Sequence, residues 1–236
     1  MPENFVSVVL PAYNERDNVI SLIAEIHVNL GSYLHEIILV DDNSPDGTYR
    51  AASDLNLPYL KVILRKEDKG LANSIRCGIE NSQGNVVIVM DSDFNHDPGY
   101  IPFMVDALKY YDCVTASRFL YGGGMDSRVR HLASWSFNIF VRVFTGGRIN
   151  DNLYGFFAIK KKALEKTDYD KIFWGYGDYY LRLLYFLQRA GIRILQFPAV
   201  NGRRRFGQEQ SHLVRIFLQY SGELLKFAFN ARFRHV

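Results

Sequence analysis

Cysteine is nearly absent from this chain: Cys77 and Cys113 are the only two in 236 residues, far apart and in no ligand spacing. That points away from a disulfide framework or a thiolate metal site and toward buried thiols in a reducing compartment. No stretch approaches the roughly 20 consecutive apolar residues that a membrane-spanning helix needs. The amino terminus has no basic segment followed by a long apolar run, so no signal peptide is expected. Low-complexity tracts and internal repeats are missing as well. What remains is a chain that is 48% hydrophobic and long enough to bury a sizeable core, read as a single domain spanning 1–236.

Carboxylates recur at the ends of apolar runs. Val86-Val87-Ile88-Val89-Met90 reads as a buried strand and is followed by Asp91-Ser92-Asp93. If that strand stays extended, residues i and i+2 point to one side and both acids can address one cation. Hard divalent cations take oxygen ligands, commonly one or two carboxylates plus substrate phosphates. Two earlier runs end the same way. Val6–Leu10 leads into Pro11-Ala12-Tyr13-Asn14-Glu15, and Ile37–Val40 into Asp41-Asp42-Asn43-Ser44-Pro45-Asp46-Gly47-Thr48. Helical patterns lie between them, which is the alternation of a mostly parallel sheet with crossover helices. Such sheets bind ligands at the carboxyl ends of their strands.

Further strands are expected at Leu60–Leu64, Cys113–Ala116, Phe156–Ile159 and Ile192–Phe197. Helices are expected over Asp17–Leu30, from near Gly47, over Gly70–Asn81, from Pro98 to about Tyr110, over Arg130–Phe144 and over Gly177–Ala190. Gly122-Gly123-Gly124 reads as a flexible loop.

The three acid-bearing segments, in this order and spacing, resemble those of the inverting family 2 glycosyltransferases. Within that family the likeness is to dolichol-phosphate mannose synthases and related polyprenyl-phosphate glycosyltransferases, from Val6 to about Leu213. The resemblance implies an α/β GT-A fold, a mostly parallel central sheet flanked by helices. Residues to about 116 would take the nucleotide sugar and 117–211 the acceptor.

On the donor side, Pro11, Tyr13 and Glu15 match the turn that lines base and ribose. Asp41 or Asp42 matches the acid that contacts the base. Asp91 and Asp93 match a pair that holds Mg²⁺ or Mn²⁺, with Asn95 where relatives often carry Gln. Asp46 reads better as a turn former before Gly47.

On the acceptor side, Ser117-Arg118-Phe119 matches a small-Arg-aromatic segment, and Arg203-Arg204-Arg205-Phe206-Gly207 a late Arg-x-x-Gly segment. A polyprenyl phosphate is already an anion, so it needs cations to position it rather than a strong base. The planar fork of arginine suits that task. Arg118, Arg204, Arg205 and His212 are therefore the expected phosphate contacts, and Asp91, Asp93, Arg118 and Asp178 the expected catalytic set. Three features depart from the pattern. His212 stands where relatives have Lys, Asp178 is the one candidate for an acid after an aromatic-Gly turn, and Tyr154 occupies the Ser place of Asp-x-x-Ser-Gly-Phe.

The net charge of +3 is uneven: Asn201–Val236 holds seven Lys/Arg against two acids, leaving the other 200 residues at −2. The basic residues accompany an apolar helix pattern, His212–Asn230, whose polar positions step by three or four. That pattern fits either a core helix or one lying in a membrane interface, and it disfavours nucleic acid as the partner. The expected activity is transfer of a hexose to a polyprenyl or dolichyl phosphate at the cytoplasmic face of a membrane, from GDP-mannose first and UDP-glucose second. The rivals are a transferase with a saccharide acceptor and a non-catalytic nucleotide-sugar-binding subunit.

Overall fold

Residues 4–202 and 205 are described by the structure, a computed structural model. Seven strands form one sheet: β1 (Phe5–Ala12), β2 (Leu34–Asp41), β3 (Leu60–Leu64), β4 (Val86–Val89), β5 (Cys113–Ser117), β6 (Phe157–Lys160) and β7 (Ile194–Pro198). Their order is β3-β2-β1-β4-β6-β5-β7. Strand β1 pairs in parallel with β2 and β4, β2 with β3, and β5 with β7. Only β6 is reversed, pairing antiparallel with both β4 and β5. The sheet is mostly parallel, as expected, and runs unbroken through both halves of the chain.

Each face of the sheet carries its own helical layer. Along β1, Val6, Val8 and Leu10 enter one core and Val9 the other, the period-2 alternation of a strand buried on both sides. On the first face, α1 (Arg16–Leu30) supplies Val19, Leu22, Ile23, Ile26 and Leu30. These recur at helical spacing and make one apolar stripe. The helix α4 (Ile101–Ala107) adds Ile101, Met104 and Val105. On the second face lie α3 (Leu71–Glu80) and α8 (Tyr179–Arg189), which buries Tyr179, Tyr180, Leu183, Leu184 and Leu187. A Cβ at Gly78 of α3 would lie 2.3 Å from Val9 Cγ1, so only glycine lets this helix press against β1.

The remaining helices are α2 (Thr48–Ser53), α5 (Arg128–Thr145), α6 (Lys161–Leu164) and α7 (Tyr169–Ile172). The hydroxyl of Ser127 caps α5 by accepting from Arg130 N, and Gly146 closes it in the left-handed region at φ 68°. This helix buries only Phe137, Asn138 and Val141, meeting Leu181 of α8 in a small third cluster.

Several expected boundaries move. Strands β1 and β2 are eight residues each because pairing carries them past their apolar runs. The segment after Asp97 starts as a 3₁₀ turn, Pro98–Tyr100, and α4 ends at Ala107 rather than near Tyr110. Helices α6 and α7 are single turns, too short to show periodicity. The glycine loop is not loose throughout: Gly124 bridges to the segment after β7, donating to Ala199 O at 3.2 Å and accepting from Asn201 N at 2.9 Å. The expected helix His212–Asn230 lies outside the described residues.

Candidate active site

The site is built where the sheet order turns, at the carboxyl ends of β1 and β4. Strand β4 stops at Val89, so Asp91 and Asp93 lie on a loop and not on extended backbone as expected. The loop has Phe94 in the left-handed region at φ 68° and keeps both acids within electrostatic reach of Tyr176. Ser92 Oγ donates to Pro11 O at 2.6 Å and ties this loop to the end of β1. Asp93 is buried, accepting from Asn95 N at 3.0 Å and from Asn95 Nδ2 at 2.7 Å. The side chain of Asp91 is 44% exposed. Both acids act on the phenol of Tyr176, whose pKa is raised by burial first and by their charges next. Asn95 commits its amide to Asp93, and its Oδ1 accepts from Asn201 Nδ2 at 3.3 Å. In this arrangement it braces the expected metal pair.

His96, not assigned a role from the sequence, holds the loop from beneath. The N–H of Asp91 donates to His96 Nδ1 at 2.8 Å, which requires a lone pair there. The proton is therefore on Nε2, which donates to Tyr154 O at 2.9 Å. The ring is fully buried, stacked on Phe156 at 4.9 Å and edge-on to Tyr154 at 4.6 Å. Burial lowers its pKa to about 4, so it is neutral at physiological pH.

The donor side is a clasp between two loops. Asn14 N donates to Ser44 Oγ at 2.9 Å, Glu15 N to Thr48 Oγ1 at 3.0 Å and Arg16 N to Asp46 Oδ2 at 3.1 Å. Asp46 also accepts from Thr48 N and Oγ1, as a turn former does. The carboxylate of Glu15 accepts from Asn18 Nδ2 at 2.7 Å. Asp41 is wholly buried and bonded to Ser44. Asp42 accepts from Arg65 Nη1 at 2.8 Å, Ser74 Oγ at 2.6 Å and Gly70 N at 2.7 Å. Both candidate base-contacting acids thus have firm partners within the protein. Tyr13 is half exposed, and Pro11 is the second-last residue of β1.

On the acceptor side, Arg118 leaves β5 into a buried fork with Asp151, Nε to Oδ2 at 2.7 Å and Nη2 to Oδ1 at 2.9 Å. Its guanidinium lies 4.8 Å from the Tyr154 ring centroid and 5.5 Å from that of Phe119. Arg205 pairs with Glu25 of α1, Nη1 to Oε1 at 2.5 Å, and stacks 3.8 Å from the Phe94 ring centroid. Asp178 is buried against Arg182 and accepts from Tyr176 N at 2.9 Å. It therefore shapes the 174–178 turn that presents Tyr176 to the carboxylates. Arg204 and His212 lie outside the described residues.

The carboxyl edge of a mostly parallel α/β sheet is where such folds bind ligands, and here it carries these acids. A model of the glycosyl transferase family 2 domain matches residues 7–168, well over half of the chain. The chain belongs to that family. It is 36% identical over 173 residues to a dolichol-phosphate mannosyltransferase of Pyrococcus furiosus, covering 71% of this chain and 49% of that protein. It thus spans about half the length of that relative. It is 29% identical over 217 residues to an undecaprenyl-phosphate mannosyltransferase of Micrococcus luteus, covering 87% of this chain and 86% of that one. Among solved structures, glucosyl-3-phosphoglycerate synthase from Mycobacterium tuberculosis with Mn²⁺ and UDP-glucose shares the fold, with a TM-score of 0.72. The identity there is 22%, over 95% of this chain and 79% of that one.

Proposed function

We propose that this chain transfers a hexose, with inversion, from a nucleotide diphosphate sugar to a polyprenyl phosphate, with GDP-mannose the first choice of donor and UDP-glucose the second. The observation that carries this reading is the likeness to the undecaprenyl-phosphate mannosyltransferase across 87% of this chain and 86% of that protein. Residues to about 116 take the donor, with Pro11, Tyr13, Glu15 and the Asp41–Asp42 pair around the nucleotide.

Asp91 and Asp93 would hold a divalent ion, Mg²⁺ or Mn²⁺. Among the described residues no third His, Cys, Asp or Glu joins them to complete a protein cage. That donor set fits an ion completed by diphosphate oxygens and water. When bound, the ion would offset charge on the departing nucleoside diphosphate. Asn95 keeps Asp93 oriented, and Ser92 keeps the loop against β1.

A phosphate acceptor is its own nucleophile, and the site is compatible with one that needs no base. His96 has both ring nitrogens engaged, and the Asp178 carboxylate is paired with Arg182. Arg118 would meet the acceptor phosphate at its Nη1 edge, outside the Asp151 fork, with Arg204, Arg205 and His212 as further candidate cations. Peripheral attachment to a membrane, on our reading its cytoplasmic face, draws its support from the apolar residues that α5 leaves exposed, Val129, Leu132, Trp135, Val143 and Phe144, which argue for membrane contact and not for either face. No helix among the described residues is long and apolar enough to cross a membrane.

The test is a screen of nucleotide sugars against detergent-solubilised polyprenyl phosphate with Mg²⁺ or Mn²⁺, read by mass spectrometry. A glycosyl phospholipid is the expected product. Transfer to a free saccharide and none to the lipid would replace this reading with the saccharide-acceptor one. Nucleotide binding without turnover on any acceptor would favour a binding subunit.

A further inference from the structure

Tyr154 is a buried tyrosine that touches the acid-bearing loop, His96, Arg118 and the exit of β7. Its hydroxyl reaches Asn95 O at 3.1 Å and Val200 O at 3.3 Å, one donor between two carbonyls. Its ring lies beneath the Arg118 guanidinium and against the edge of His96. Its own carbonyl receives the His96 Nε2 proton. Asn95 belongs to the loop of Asp91 and Asp93, whereas Val200 belongs to the exit of β7, which leads to the basic run 203–205.

Those two segments are pressed together. Gly202 N donates to Asn95 O at 2.8 Å, and a Cβ at Gly202 would lie 2.1 Å from Phe94 O, a contact no side chain survives. Arg205 in turn lies over Phe94, 3.8 Å from its ring centroid. A tyrosine used only for packing would not need its hydroxyl at this junction, since a phenylalanine fills the same volume.

We infer that Tyr154 is a positioning residue whose hydroxyl couples the Asp91–Asn95 loop to the exit of β7, so that the loop is held in the geometry that takes a cation with the donor diphosphate. This rests on the proposed transferase reading for its role in turnover, but binding alone can test it. If Asn95 O is held from both sides, the Asn95 backbone is fixed, and with it the amide that orients Asp93. Without the hydroxyl, the Gly202 bond must hold Asn95 O alone and the loop gains freedom that cation binding has to remove.

The experiment is calorimetric titration of GDP and of UDP into parent, Tyr154→Phe and Tyr154→Ser, each with Mn²⁺ and each in EDTA. Tyr154→Phe keeps the ring under Arg118 and should melt close to the parent. Its Mn²⁺-dependent nucleotide affinity should fall by roughly three- to tenfold, the worth of one neutral hydrogen bond, while affinity in EDTA is unchanged. In the transfer assay the donor KM should rise in step with that loss, while the acceptor KM should change less. Tyr154→Ser should lose more, because Arg118 and His96 also lose the ring.

The inference fails if Tyr154→Phe binds Mn²⁺ and nucleotide as the parent does, or if its affinity drops equally in EDTA, which would mark simple packing. A parent whose nucleotide affinity is indifferent to Mn²⁺ also overturns it. Absence of transfer to polyprenyl phosphate by the parent would instead reject the functional reading and leave the binding comparison standing.

Discussion

Asp93 is oriented by the backbone and amide of a residue two positions on, and Asp93→Asn removes the charge while keeping an oxygen for one of those two bonds. Asp93→Asn should fold like the parent and lose transfer activity by roughly a hundredfold or more, the scale of a Lewis acid's stabilisation of a leaving group. Full activity of this variant, or of the parent in excess EDTA, would remove the pair from the mechanism. The acids themselves were legible in the sequence because they end apolar runs. Their supports were not. His96 stands five residues beyond Asp91 with nothing in its neighbours to mark it, since its partners Tyr154 and Phe156 are about sixty positions away. Arg118 was legible as a cation, but Asp151 as its fork partner follows only from the pairing of β5 with β6.

At the scale of elements, runs with clear alternation or period came out close to their expected bounds; β3 falls on Leu60–Leu64 as read. Strand order did not, because no local pattern tells β6 to insert between β4 and β5. Helix α5 is the element whose sequence and setting disagree most. Apolar on several faces, it buries one narrow strip and leaves Trp135 46% and Phe144 43% exposed. An apolar face beside Arg128, Arg130 and Arg142 is the composition of a helix that settles into an anionic interface. Replacing both Trp135 and Phe144 by Ser should leave the circular dichroism spectrum intact. It should weaken flotation with anionic vesicles by roughly tenfold or more, since each large apolar side chain gains about 1.5–3 kcal/mol on full burial. If the folded double variant floats as the parent does, the membrane contact lies elsewhere on the chain.

For the whole molecule, the neutral His96 makes stability depend on pH. Its pKa is lowered from 6.5 to about 4 in the folded state, so between those values the unfolded chain binds more protons than the native one. Stability from this group is complete above about pH 6.5 and is lost as pH falls toward 4, by about 3 kcal/mol in all. Melting curves in EDTA from pH 7.5 to 4.5 should therefore slope more steeply for the parent than for His96→Gln. Parallel slopes would mean that His96 titrates normally.

The reversal of β6 has a consequence for how the chain can change. In a parallel array only the segments leaving the strands reach the ligand edge, and those entering lie at the far end. Because β6 runs the other way, the segment entering it, Asp151–Phe156, meets those leaving β4 and β5. Its alignment rests on four residue pairs with β4, Val86 with Lys160 through Val89 with Phe157, and three with β5, Cys113 with Ile159 through Thr115 with Phe157. Slipping that ladder by one residue would turn Phe157 and Ile159 from one core to the other and draw Tyr154 away from Asn95. Between Asp151 and Phe157 a single inserted residue would separate the two halves of the site.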